Sequence, residues 1–163
     1  MTDIKEVREW YAKEVEERME DCGLRPYHIS AACKISSANV SGYLKGNPFP
    51  RLWKLILIAE CLDCSVNDLL GYDEVDDPDV YERLLASKTY LGEDEFAVRF
   101  GKRLVRLMNE ACANINDLHE FTGISLSNVE SWTGDKPETL PNVQQLIRIC
   151  DALDCTPSDL LGY

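Results

Sequence analysis

One twelve-residue ending occurs twice in this chain. Cys61-Leu62-Asp63-Cys64-Ser65-Val66-Asn67-Asp68-Leu69-Leu70-Gly71-Tyr72 and Ala152-Leu153-Asp154-Cys155-Thr156-Pro157-Ser158-Asp159-Leu160-Leu161-Gly162-Tyr163 agree at eight of twelve positions, at an offset of 91 residues. Upstream, Ile35, Ser36 and Val40 pair with Ile124, Ser125 and Val129 at an offset of 89, and Tyr11, Lys13 and Met19 pair with Phe100, Lys102 and Met108. The two-residue difference falls in the segments Lys45–Pro50 and Gly134–Pro141, where added chain costs little loop-closure entropy. Agreement held in register over this much of the chain implies duplication of one folding unit. Whatever the first copy folds into, the second folds into as well, so the 163 residues divide into two small domains rather than one ordinary one.

Helical punctuation repeats with the copies. Ile4, Val7, Tyr11 and Val15 stand at helical spacing in a long first segment, about 3–21. Short segments follow at about 26–33 and 36–44, the second entered through Ser36 as N-cap. Pro50 suits the first turn of a fourth helix that runs to about Leu62. Ser65 then caps a short last helix, Val66–Leu70, which Gly71 stops. The second copy repeats this at about 93–111, 114–122, 125–132, 141–153 and 157–161, and neither copy carries strand signals. Between them lies an acidic linker, residues 73–92, in which Pro78 can start a short helix through Ser87.

Within the first copy, the run from Gly23 to Gly46, with Ile29, Ala32, Ile35, Val40 and Tyr43 spaced to wedge two short helices together and small Ser30 at their crossing, resembles the helix-turn-helix pattern of the lambda-repressor/Cro (XRE) family without a gap. The fold that this resemblance implies is all-α: two tandem five-helix lambda-repressor-like helix-turn-helix domains, residues 1–72 and 93–163, joined by the acidic linker. It implies in turn that the second short helix lies in the major groove of double-stranded DNA. Ser37, Ala38, Asn39 and Gly42 then occupy the base-reading face, where Asn39 is suited to a bidentate pair with adenine. Two departures stand out. Pro26 replaces the family's usual Gln at the start of the first motif helix, and Lys34 replaces the turn Gly, so Lys34 must adopt a left-handed or otherwise strained backbone. With small side chains at most reading positions, direct readout is thin and recognition leans on DNA shape.

Charge separates the copies. The chain as a whole carries −12, which opposes binding to a polyanion. From Cys22 to Ala59, however, the first copy has Arg25, Lys34, Lys45, Arg51 and Lys54 and no Asp or Glu, a balance of +5. These five are the candidate phosphate ligands, with Arg51 and Lys54 opening the fourth helix, whose terminal amides also favour a phosphate. The equivalent stretch of the second copy, Ala111 to Cys150, has two cations against five carboxylates, a balance of −3, with Glu130 and Leu126 on the motif helix itself. The second copy therefore reads as a degenerate domain used for assembly.

Other motifs carry less. Cys61-Leu62-Asp63-Cys64 is a C-x-x-C, but zinc needs two further ligands and neither His28 nor His119 stands in a second paired spacing; these cysteines read as core thiols. Seven scattered cysteines, with no export signal expected, fit the reducing cytoplasm. Trp53, Leu57 and Leu126 are the interface candidates, since Trp53 and Leu57 occupy positions the family usually gives to polar residues. His28 and His119 read as surface residues. No catalytic constellation, cofactor site, metal site, small-molecule substrate or membrane span is expected. The function expected is a cytoplasmic DNA-binding transcriptional regulator acting through its first domain, with a homodimer or protein partner. The alternative is a protein-interaction adaptor, antirepressor- or antitoxin-like, that uses the fold without DNA.

Overall fold

The computed structural model describes residues 1–73 and 92–162. All regular structure among them is α-helical. The chain divides into two compact units, whose described residues are 2–73 and 92–162. The expected linker helix between Pro78 and Ser87 lies outside the described residues.

The first unit runs α1 (Ile4–Asp21), α2 (Pro26–Cys33), α3 (Ser37–Leu44), α4 (Leu52–Cys61) and α5 (Val66–Leu70). Asp3 opens α1 by accepting a hydrogen bond from the Lys5 amide at 2.8 Å. Val7, Tyr11, Val15 and Met19, each four residues apart, form the buried stripe of α1. Leu52, Leu55, Ile56, Ile58 and Ala59 give α4 the largest buried set of any helix in this unit. Each of its large aliphatic side chains contributes about 2 kcal/mol on burial. Ser65 and Asp68 close a reciprocal capping box at α5, and Gly71 ends it at φ +75°. Helix α1 packs on α3 and α5, α2 on α3 and α4, and α4 on α5.

The second unit runs α6 (Glu93–Glu110), α7 (Ile115–Thr122), α8 (Leu126–Thr133), α9 (Val143–Leu153) and α10 (Pro157–Leu161). Its helices pair in the same way: α6 on α8 and α10, α7 on α8 and α9, α9 on α10. Buried positions correspond as well. Phe96, Phe100, Leu104 and Met108 of α6 stand 89 residues after the buried stripe of α1. Val143, Leu146, Ile147, Ile149 and Cys150 of α9 stand 91 after the buried set of α4. A close approach sets α6 apart. A Cβ on Gly101 would overlap the Trp132 carbonyl oxygen and lie 2.5 Å from Pro137 Cγ, so only glycine fits where α6 meets the end of α8.

Several expectations are corrected. Ala32 is exposed and Tyr43 half-buried; the side chains that close the wedge are Cys33 and Leu44. The reason is helical phase, because α2 turns Ile29 and Cys33 inward at i and i+4, and α3 does so with Val40 and Leu44. Pro50 lies outside the first turn of α4, two residues ahead of Leu52, and Arg51 takes the N-cap position. Ser36 occupies the cap position of α3, but its hydroxyl makes no capping bond, whereas Ser125 accepts from the Asn128 amide at 3.3 Å.

Candidate nucleic-acid interface

Helices α2 and α3 are joined by Lys34, Ile35 and Ser36, a tight turn whose first position favours glycine. Lys34 sits there in the left-handed region at φ 51°, ψ 48°. In the second unit Gly123 holds the same place at φ 69°. The turn is tied to the helix before it by one side chain. Ser30 Oγ donates to the Ile35 carbonyl at 2.6 Å. In the second unit His119 Nδ1 makes the corresponding contact to the Ile124 carbonyl, also at 2.6 Å. At the other end of α2, His28 Nδ1 accepts from the Arg25 amide at 2.9 Å, as Asp117 Oδ2 does from the Asn114 amide at 2.8 Å. Both histidines are thus half-buried structural groups, not the surface residues the sequence suggested.

Helix α3 buries Val40 and Leu44 and leaves Ser37, Ala38, Asn39 and Ser41 exposed. Gly42 belongs elsewhere. It is half-buried, and a Cβ there would stand 3.0 Å from the Asn47 carbonyl oxygen, so this side of the helix meets the following loop. Ser41, one helical turn after Ser37, is exposed on the same side of α3 as Ser37. Counting four from Ser37 was the signal that could have found it.

The cations around α3 are not equivalent. Arg25, Lys34, Lys45 and Arg51 are exposed. Arg25 and Lys45 line one groove of about 440 Å³ together with Ser41 and with Lys13, Glu16 and Glu20 of α1, over a floor that includes Val15, Met19 and Leu44. The beginning of α2 and the end of α3 therefore present their cations on one side of the unit. Lys54 is engaged inward: its ammonium donates to the carbonyls of Cys33 at 2.7 Å and Lys34 at 3.2 Å. Trp53 and Leu57 are half-buried on α4, and the large side chains left exposed include Trp10, Tyr27, Phe121 and Leu126 instead. The Trp10 indole N–H donates to the Asp68 carbonyl at 2.9 Å, which ties α1 to α5.

The second unit presents the same two helices with different chemistry. Asn114, Gly123, Gly134, Asn142 and Gln145 stand where the first has Arg25, Lys34, Lys45, Arg51 and Lys54, so all five cations are replaced by neutral residues. Leu126, Ser127, Asn128, Glu130 and Ser131 are exposed on α8. Asn128 falls at the place of Asn39, the one exposed polar residue that the two motif helices share.

The cysteines of the C-x-x-C are separated in environment. Cys61 lies near the Cys33 thiol, while Cys64 Sγ donates to the Ala59 carbonyl at 3.7 Å. Burial, with Cys61 close by, pushes the Cys33 thiol up to about 12. Among the described residues no group of three or more His, Cys, Asp or Glu is placed to hold a metal ion. No helix among them is long and apolar enough to cross a membrane.

Two short helices packed across a tight turn, the second with an exposed outer face, define a helix-turn-helix protein. Residues 103–163, from the middle of α6 through α10, match the family model of the Cro/C1-type HTH DNA-binding domain. No curated protein and no solved structure matches the chain.

Proposed function

We propose that the chain is a DNA-binding transcriptional regulator made of two tandem helix-turn-helix units of the Cro/C1 type, of which the first docks α3 in the major groove. The observation that carries this reading is the set of exposed cations around α3. Arg25, Lys34, Lys45 and Arg51 are exposed before, between and after two helices that carry no carboxylate; Cys22–Ala59 as a whole contains no Asp or Glu, and the carboxylates nearest Arg25 and Lys45 in their groove are Glu16 and Glu20 of α1. The family match falls on the second unit. Shared helix order, shared pairings and corresponding buried positions support extending it to the first.

Phosphate contacts from these cations position the unit, and base edges are left to Asn39 and the small residues Ser37, Ala38 and Ser41. With so few long polar side chains, DNA shape supplies much of the selectivity. The second unit serves assembly, as a homodimer or with a protein partner, because Glu130 on α8 would meet phosphates without a compensating cation.

Binding to mixed-sequence duplex DNA across a salt series tests this. Four phosphate contacts predict that affinity falls about 10²-fold between 50 and 200 mM salt. Lys45→Glu with Arg51→Glu abolishes binding, and Glu130→Lys leaves it unchanged or strengthens it. Absence of salt-dependent binding at low ionic strength overturns the reading and leaves the adaptor role, for which a net charge of −12 suits a basic protein partner.

A further inference from the structure

Three helices of the first unit each end on a cysteine. Cys22 caps the end of α1, Cys33 is the last residue of α2, and Cys61 is the last residue of α4. Cys22 Sγ lies 4.0 Å from the carbonyl oxygen of Leu62, the residue after Cys61. Cys61 in turn lies near the Cys33 thiol, on a helix already fastened to α2 through Lys54 and the Cys33 carbonyl. Lys54 and Cys61 are seven residues apart, two turns along one face of α4. Exposure grades across the three: Cys22 is exposed, Cys61 half-buried and Cys33 buried.

Packing does not require these thiols. The second unit has Ala111, Thr122 and Ala152 at the corresponding positions, and its helices pair in the same way without sulfur there. Thr122 donates its hydroxyl to the Leu118 carbonyl of its own helix. The cysteine that both units keep is Cys64 in the first and Cys155 in the second. Cys33 and Cys61 therefore add a chemistry that the fold itself does not need and that alanine and threonine lack.

We propose that Cys33 and Cys61 form a reversible disulfide under a peroxide, a redox-dependent brace that ties the end of α2 to the end of α4. The half-buried Cys61 is the entry point. Its sulfur attacks the peroxide, the O–O bond breaks, and a sulfenic acid and one water result. The Cys33 sulfur then attacks that of Cys61. The S–S bond forms, the S–O bond breaks, and the hydroxyl leaves with the Cys33 proton as a second water. Two thiols lose two electrons, and the peroxide gains them. Burial holds both thiols protonated, so oxidation is slow. Against that, the second step is intramolecular, which is worth an effective concentration of about 10⁵ M. The pair thus answers sustained oxidant, and a dithiol reverses it by exchange. The closed loop runs from Lys34 to Glu60 and includes all of α3, so the brace falls on the helix-turn-helix. It does not depend on whether that unit binds DNA.

Peptide mapping of the full chain without reductant, with remaining thiols alkylated, tests this after hydrogen peroxide and again after dithiothreitol. The expected result is a linked peptide pair carrying Cys33 and Cys61 that dithiothreitol removes. In thermal unfolding, the first unit of the oxidised chain melts about 10 °C higher, because the link confines the unfolded chain. Cys61→Ala, which copies the second unit, keeps the fold by circular dichroism and loses both the linked pair and the shift. Cys22→Ser retains both. Absence of any link at Cys61 after prolonged peroxide overturns the proposal, and so does a link that joins Cys61 to Cys22. A Cys33–Cys61 link that leaves the melting temperature unchanged overturns the brace.

Discussion

The Lys54 ammonium lies 2.7 Å from the Cys33 carbonyl oxygen. Lys54 sits in the first turn of α4 and Cys33 is the last residue of α2. One cation thus satisfies a carbonyl that the end of a helix leaves open, and fastens the first helix of the motif to the core helix behind it. Composition alone would count Lys54 as one more phosphate ligand. Its position makes it a structural tie.

Replacing Lys54 by Met is therefore expected to lower the stability of the first unit by about 1–2 kcal/mol, the worth of a charge-assisted hydrogen bond that is partly solvent-exposed. Thermal unfolding measures that loss. In the salt series, Lys54→Met leaves the slope near that of the parent chain, while Lys45→Met reduces it by about 1.

Lys34 carries a side chain at a left-handed turn position where the second unit has Gly123. Left-handed backbone costs a non-glycine residue about 1 kcal/mol. Lys34→Gly is expected to recover roughly that amount in denaturant unfolding, less the entropy glycine adds to the unfolded chain. The same substitution removes an exposed cation and weakens DNA binding. Opposite signs in the two assays are the test; a loss in both contradicts the strain.

Tyr11 is fully buried and its hydroxyl has no hydrogen-bond partner. Burial also drives its ionisation well above the ordinary tyrosine range. The second unit places Phe100 at the corresponding position. Tyr11→Phe removes a desolvated polar atom without changing the packing, and is expected to leave stability unchanged or raise it by about 1 kcal/mol. A marked loss of stability would show that the hydroxyl is satisfied in solution.

The Cys33 thiol, pushed up to about 12 from 9.0 by burial, gives the first unit an alkaline dependence. Folding favours the protonated thiol, so between pH 9 and 12 the unfolded chain releases its proton before the folded chain does. Stability from this group is fully present below pH 9 and declines as pH rises through that window. Urea unfolding of Cys33→Ala is expected to show a shallower decline over the same range than the parent chain.

Periodicity and turn chemistry made the helices legible. Ser65 and Gly71 mark the limits of α5, and the buried stripe from Val7 to Met19 repeats at i, i+4 whatever surrounds it. The strain at Lys34 was also readable, because a two-helix turn of that length needs a left-handed residue and the sequence offers no glycine there. Local signals sufficed in these cases because the forces are local: capping bonds, backbone sterics and the spacing of apolar residues. The outer face of α3 was less legible. A shift of one residue moves a side chain by about 100° around a helix, and the pattern alone favoured Ala32, Tyr43 and Gly42 over Cys33, Leu44 and Ser41.

The repeat, and with it the helix order of both halves, came from the sequence alone, because a periodic pattern of apolar residues and caps specifies helices independently of their neighbours. Only the tertiary structure decided how individual side chains are used. It gave Lys54 to the carbonyls of α2, gave Ser30 and His119 the same bond across two turns despite their unlike chemistry, and set Phe121 in solvent beside Glu120. Those assignments depend on distances between residues far apart in the chain, and no local pattern encodes such distances until the helices are packed.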